Sequence, residues 1–207
     1  MNIATSNPLS AERRARAMKE GLSFAQFVER AEVHQDLLRS NFDAYELTDE
    51  ERSIFQEIDE PIDVIVLAHD WCGDVASNLP LFAKIEALTG KLKLHILIRD
   101  PDNWDIANAY PAEDGKLRLP TYIFFNSKGE QLGVFIERPA EITEKISEWR
   151  AEFWQQHPEW NWDGRTVNDI GEEGKAAWYA YLMKRRPSVR NLEKEAILRK
   201  IQSIISA

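Results

Sequence analysis

The stretch that decides the fold is VIVLAHDWCGDVASNLP, residues 64–80. It continues IDVIVLA (62–68), an apolar run rich in β-branched residues, the pattern of a buried central strand. The run stops at His69-Asp70-Trp71-Cys72-Gly73-Asp74. From Asp74 to Leu88, apolar residues recur at helical spacing through Leu79, Phe82, Ile85 and Leu88, and Gly90 supplies a stop. Cys72, at the strand-to-helix turn, is the only cysteine in 207 residues. KLKLHILIR (91–99) alternates and then turns apolar, which reads as a second strand. Strand, helix and strand make a βαβ unit.

Downstream, Asp100 to Ala109 can hold a short helix. TYIFFN and QLGVFIE flank Ser127-Lys128-Gly129, and Gly129 suits the left-handed position of a hairpin turn. Pro139 fits the first turn of a further helix, with Ile142, Ile146, Trp149 and Phe153 on one face. After the loop QQHPEWNWDG the pattern returns to helix at Ala177, Trp178, Tyr181 and Leu182, and Pro187 breaks it. Asn191 is the expected cap before Ile197, Leu198, Ile201, Ile204 and Ile205. Upstream, the first sixty residues read as helices. Ser23–Gln26 is a capping box, and Thr48–Glu51 is a second one ahead of Ile54, Phe55 and Ile58.

With 43% hydrophobic and 29% charged residues, the chain reads as soluble and globular. Its formal charge is −9, and an acidic surface repels phosphate, which argues against nucleic acid and anionic membranes as partners. No run approaches the ~18 apolar residues of a membrane helix. The N-terminal residues lack an apolar signal core, so a reducing cytoplasm is the expected compartment. One cysteine forbids an internal disulfide. His34, His95 and His157 have no ligand spacing, and neither a metal nor a cofactor is expected.

DWCGD at the strand-to-helix turn, LPT opening the hairpin and KGE at its tip resemble the thioredoxin-like superfamily, in particular small bacterial thioredoxin-family proteins with a WCGDC motif. The resemblance implies an α/β, three-layer fold (βαβ, helix, ββα), with helical extensions at both ends. The expected organisation is an N-terminal extension (1–60), a thioredoxin-like core (61–157) and a C-terminal helical extension (158–207) packed on that core. The resemblance places Cys72 at the nucleophile position, with Trp71 shading it. Pro120 takes the cis-proline position, leaving Leu119 open to pair with an extended substrate. A helix N-terminus at Cys72 would favour the reactive thiolate.

Two departures from that pattern matter. Val75 stands where the resolving cysteine belongs, and Val66 where thioredoxins carry a buried acid. Asp70 and Asp74 flank Cys72 and oppose ionisation, while His69 could assist proton transfer. The hairpin should return Arg138 to the edge that holds Cys72 and Pro120, where it could offset those carboxylates or hold a substrate carboxylate. The expected function is a monothiol oxidoreductase forming mixed disulfides with a protein or a low-molecular-weight thiol or disulfide. The alternatives are a non-catalytic binding module for an extended peptide and a single-cysteine redox sensor. Trp154, Trp160 and Trp162 are expected to dock the C-terminal helices rather than form a stacking platform, and KRRPSVR (184–190) reads as a solvated helix end.

Overall fold

A computed structural model describes residues 8–160, 164 and 166–206. The chain forms two compact units, one of residues 1–137 with 198–207 and the other of residues 138–197.

The first unit is built on a four-stranded sheet in the order β2-β1-β3-β4, with β1 Ile62–Ala68, β2 Leu92–Ile98, β3 Thr121–Phe125 and β4 Gln131–Ile136. β1 runs parallel to β2 and antiparallel to β3, and β3 and β4 are the expected hairpin. Gly129 takes the left-handed position in the turn, with φ 77°. Every residue of β1 from Val64 to Ala68 is fully buried, as its unbroken apolar run requires.

Six helices of this unit are α1 Ala11–Glu20, α2 Phe24–Arg30, α3 Gln35–Ala44, α4 Asp49–Ser53, α5 Gly73–Thr89 and α6 Trp104–Ala109. Both capping boxes form, at Ser23 with Gln26 and at Thr48 with Glu51. The helix behind the second box ends sooner than its apolar spacing suggested: Ile54 is already its C-cap, and Phe55 is buried from the turn that follows.

Side chains alternate across the sheet, so Tyr122 and Phe124 share a face with Phe135, the cross-strand partner of Tyr122. α5 packs on that face. Phe82 stacks on Tyr122 with ring centroids 3.9 Å apart and approaches Phe124 and Phe135 at 6.3 and 6.1 Å. Burying a side chain of this size stabilises by roughly 1.5–3 kcal/mol. α1 lies on the opposite face. The Arg14 guanidinium sits over the Phe125 ring, and the Met18 carbonyl is 2.9 Å from Nδ1 of His95, whose Nε2 meets Asp63 at 2.8 Å. Between α1 and α2, Leu22 exchanges two backbone hydrogen bonds with Ile96 along β2. Gly21 permits that approach: a Cβ there would stand 2.6 Å from the Cβ of His95 and 2.7 Å from its Cα.

α5 contains Pro80, which has no N–H and leaves the Ala76 carbonyl without its helical donor. Nδ2 of Asn41 supplies one at 2.8 Å, and the Tyr45 hydroxyl donates to the next carbonyl, Ser77, at 3.0 Å. Both donors come from the end of α3, so α3 is fitted to the irregularity that Pro80 introduces into α5.

The second unit contains α7 Ala140–Gln156, α8 Gly171–Arg185 and the start of α9 Arg190–Ile205. Its core gathers Ile146, Trp149, Phe153, Trp154 and Trp178. Phe153 meets Trp160 face to face at 5.6 Å and Trp178 edge-on at 5.3 Å. Trp154 is buried in this core. Trp162 lies outside the described residues. Pro187 falls in a short 3₁₀ turn over Arg186–Val189 that runs directly into α9. Asn191 is therefore inside α9 and not its cap, because the preceding turn already supplies helical backbone. Arg186 forks onto Glu193 at 3.2 and 2.5 Å, a fully buried pair across that junction. No described helix is long and apolar enough to cross a membrane.

Candidate functional site

Cys72 occupies the N-cap of α5, with an extended backbone (φ −82°, ψ 119°). Its N–H donates to the His69 carbonyl at 3.1 Å, closing the turn out of β1, and its carbonyl accepts from Ala76 at 3.0 Å. The half-buried Sγ makes no capping bond to the helix. It donates instead to the Leu119 carbonyl at 3.5 Å. The Leu119–Pro120 peptide bond is cis. Cys72, Leu119 and Pro120 thus meet at one end of the sheet, beside a helix start whose first-turn N–H groups lack helical acceptors.

The chain around Pro120 is fixed from several sides. Its carbonyl accepts from Glu137 at 2.7 Å, and Glu137, with φ 64°, turns the chain sharply at the end of β4. Arg118 bridges Glu137 and Asp114 at 2.5 and 2.6 Å. Nδ2 of Asn78 donates to the Glu137 carbonyl at 2.8 Å, and its Oδ1 accepts from the Tyr122 hydroxyl at 2.6 Å. Asn78 and Tyr122 are both fully buried. This link joins the second turn of α5 to β3 and to the end of β4. Asn78 was legible as the polar residue on the apolar face of a helix, four positions before Phe82 and seven before Ile85, but sequence reading passed over it.

Asp70 faces the α2–α3 loop. Its Oδ2 accepts from the backbone N–H groups of Glu32 and Val33 at 2.8 and 2.9 Å, and Oδ1 lies 2.8 Å from Nδ1 of His69. Burial disfavours its charge, but the N–H donors of Val33 and Glu32, with His69, outweigh that effect. The carboxyl is held below its ordinary range. Asp70 therefore has a structural task besides any influence on Cys72. Asp74 sits in the first turn of α5, where the helix dipole favours a carboxylate. Val75 is 0% exposed and packed where a second thiol would stand.

Trp71 is 44% exposed. Its ring lies 5.1 Å from that of His69 and 5.8 Å from the guanidinium of Arg99, which also stacks at 4.5 Å over Trp104, itself 42% exposed. Arg99 is locked by a two-pronged contact with Asp100 at 3.0 and 2.9 Å, and this contact holds the Asp100 carboxyl below its usual range. The Asp100–Pro101 bond is also cis, a feature the sequence reading did not anticipate. Arg138 belongs to the second unit, directly before Pro139, the N-cap of α7. Among the described residues, no group of three His, Cys, Asp or Glu side chains is arranged to hold a metal.

The family described as Thioredoxin matches residues 21–150. The chain belongs to the thioredoxin family. The match opens at Gly21, so α2, α3 and α4 lie inside the family region along with the sheet, α5 and α6. No curated protein matches. Two solved structures share the fold. An HIV epitope scaffold aligns with a TM-score of 0.60 at 17% identity, covering 93% of this chain and 96% of its own. A protein of unknown function from Pseudomonas aeruginosa aligns with a TM-score of 0.57 at 19% identity, with the same coverage.

Proposed function

We propose that this thioredoxin-family protein is a monothiol oxidoreductase that forms mixed disulfides through Cys72. The supporting observation is the half-buried Sγ at the N-cap of α5, against the Leu119 carbonyl and beside Pro120, with buried Val75 in place of a resolving thiol. In the chemistry proposed, Cys72 loses its proton to solvent and exchanges the Leu119 carbonyl for the N–H groups of the first turn of α5, which lack intrahelical acceptors. The thiolate attacks one sulfur of a disulfide. A new S–S bond forms, the old one breaks, and the departing sulfur leaves as a thiolate that takes up a proton. A second, external thiol must release the product, because the chain has none to offer.

The test is intact mass after exposure to a small disulfide. The expected result is one adduct on the wild type, none on Cys72→Ser, and removal of the adduct by added thiol. A native protein that stays unmodified while the unfolded chain reacts at once overturns the reading. In that event the exposed Trp71, Trp104 and Val33 support the alternative of a binding module for an extended peptide.

A further inference from the structure

Glu137 ends β4 with a left-handed backbone, φ 64°, a conformation strained for any residue with a Cβ and free for glycine. Such strain persists where the surroundings over-determine it, and it gathers at functional sites. Three groups of Glu137 are engaged. Its N–H donates to the Pro120 carbonyl at 2.7 Å, its carbonyl accepts from Nδ2 of Asn78 at 2.8 Å, and its carboxylate meets the Arg118 guanidinium at 2.5 Å. A glycine could make the first two bonds; only the third needs a glutamate. The other prong of Arg118 rests on Asp114 at 2.6 Å, and the Arg118 carbonyl accepts from Oγ1 of Thr121 at 2.9 Å. Leu119 is therefore buried between two anchored neighbours, Arg118 and Pro120. Its carbonyl is the acceptor of the Cys72 thiol proton, 3.5 Å from Sγ.

From this geometry we infer that Glu137 and Arg118 are positioning residues whose pair pins the Leu119 carbonyl against Sγ and so holds Cys72 as the protonated thiol. This rests on the monothiol reading and adds what restrains its nucleophile. Only the thiol can donate to that carbonyl, so the bond favours the neutral form, and a thiolate would face the negative end of the C=O dipole. The other titratable groups of the turn are held independently of the pair. Asp70 is fixed by the N–H groups of Glu32 and Val33 and by His69, and Asp74 belongs to the first turn of α5.

The experiment measures the rate of Cys72 alkylation by iodoacetamide against pH, on the full chain, in wild type, Glu137→Gly and Arg118→Met. Glycine accepts φ 64° and keeps both backbone bonds, and Arg118 is partly exposed, so both variants keep the fold. The first variant removes a negative charge and the second a positive one. A pair that acts by charge moves the two rates in opposite directions; a pair that pins the carbonyl moves them together. Both variants should react about two- to threefold faster at pH 7, the low end of a hydrogen bond's worth because sulfur is a weak donor, and should match wild type in the alkaline plateau. Opposite shifts, unchanged rates at pH 7, or an equal gain at every pH overturn the inference. Alkylation makes no disulfide, so the two readings fail separately. If the variants behave as expected but Cys72 takes no adduct from a small disulfide, the monothiol reading falls and the positioning role stands. If the adduct forms but the alkylation profiles coincide, the positioning role falls and the chemistry stands.

Discussion

Asn78→Leu is the perturbation that most directly tests how the site is held. Leucine has nearly the shape of asparagine and suits a helix, so propensity and volume change little. What changes is two hydrogen bonds in a region without water access. The Tyr122 hydroxyl loses its acceptor at 2.6 Å, and the Glu137 carbonyl loses a donor at 2.8 Å. A buried polar group deprived of its partner costs about 1–3 kcal/mol, so the two losses together should cost about 2–6 kcal/mol. Urea unfolding followed by far-ultraviolet circular dichroism should show a midpoint lower by about 1–3 M, taking a slope of about 2 kcal/mol/M. Tyr122→Phe supplies the decisive control. Alone it removes one bond and should cost about 1 kcal/mol; combined with Asn78→Leu it removes the hydroxyl that has lost this acceptor, so the double variant should be more stable than Asn78→Leu alone. If the two losses simply add, or Asn78→Leu costs less than about 0.5 kcal/mol, the reasoning about this link is wrong.

Asn41→Ala should destabilise by about 1–3 kcal/mol, because it strands the Ala76 carbonyl that Pro80 leaves without a donor; adding Pro80→Ala restores a helical N–H and should recover part of that loss in the same unfolding assay. Gly21→Ala should lower the melting temperature and the hydrogen-exchange protection of the Leu22 and Ile96 amides, since the new Cβ would meet the His95 backbone; unchanged protection rejects the close approach. Asp70 has a carboxyl held below its ordinary value, so the stability it contributes is present above the normal carboxylate range and is lost as the pH falls through the lower folded value. Asp70→Asn should flatten that acid limb in unfolding curves taken between about pH 4 and pH 2, and an acid limb of unchanged steepness contradicts the role.

The elements legible in the sequence were those with a strong local cause. The apolar run 62–68, the two capping boxes, Gly90 and the hairpin turn at Gly129 each carry their own physics, and each forms as read. The errors came where a neighbour overrides a local signal. Thr48 starts a helix, but Phe55 is drawn into the core and the helix stops early. Asn191 has the chemistry of a cap, yet the 3₁₀ turn before it already supplies helical backbone. At the site, Cys72 and the Leu119-Pro120 pair were visible as a pattern, while their supports were not. Asn41 reaches Ala76 across 35 positions of sequence and Asn78 reaches Glu137 across 59, and no periodicity announces such partners.

Those supports bear on what one thiol can do. Asn41 and Tyr45 tie α3 to the Ala76 and Ser77 carbonyls ahead of Pro80 in α5, and Asn78 ties the same stretch of α5 to β3 and the end of β4. Both links lie within two turns of Cys72, so the helix that carries the thiol is fixed at its start. In a dithiol site such a helix must also let a second sulfur approach the first. Here Val75 is fully buried and has no such step to make. On the proposed chemistry the scaffold therefore need only position Cys72 and an incoming sulfur, a task that rigidity favours. Release depends on how often an external thiol reaches the mixed disulfide. On that chemistry the exposed Trp71, adjacent to Cys72 in the chain, is the side chain best placed to influence that approach.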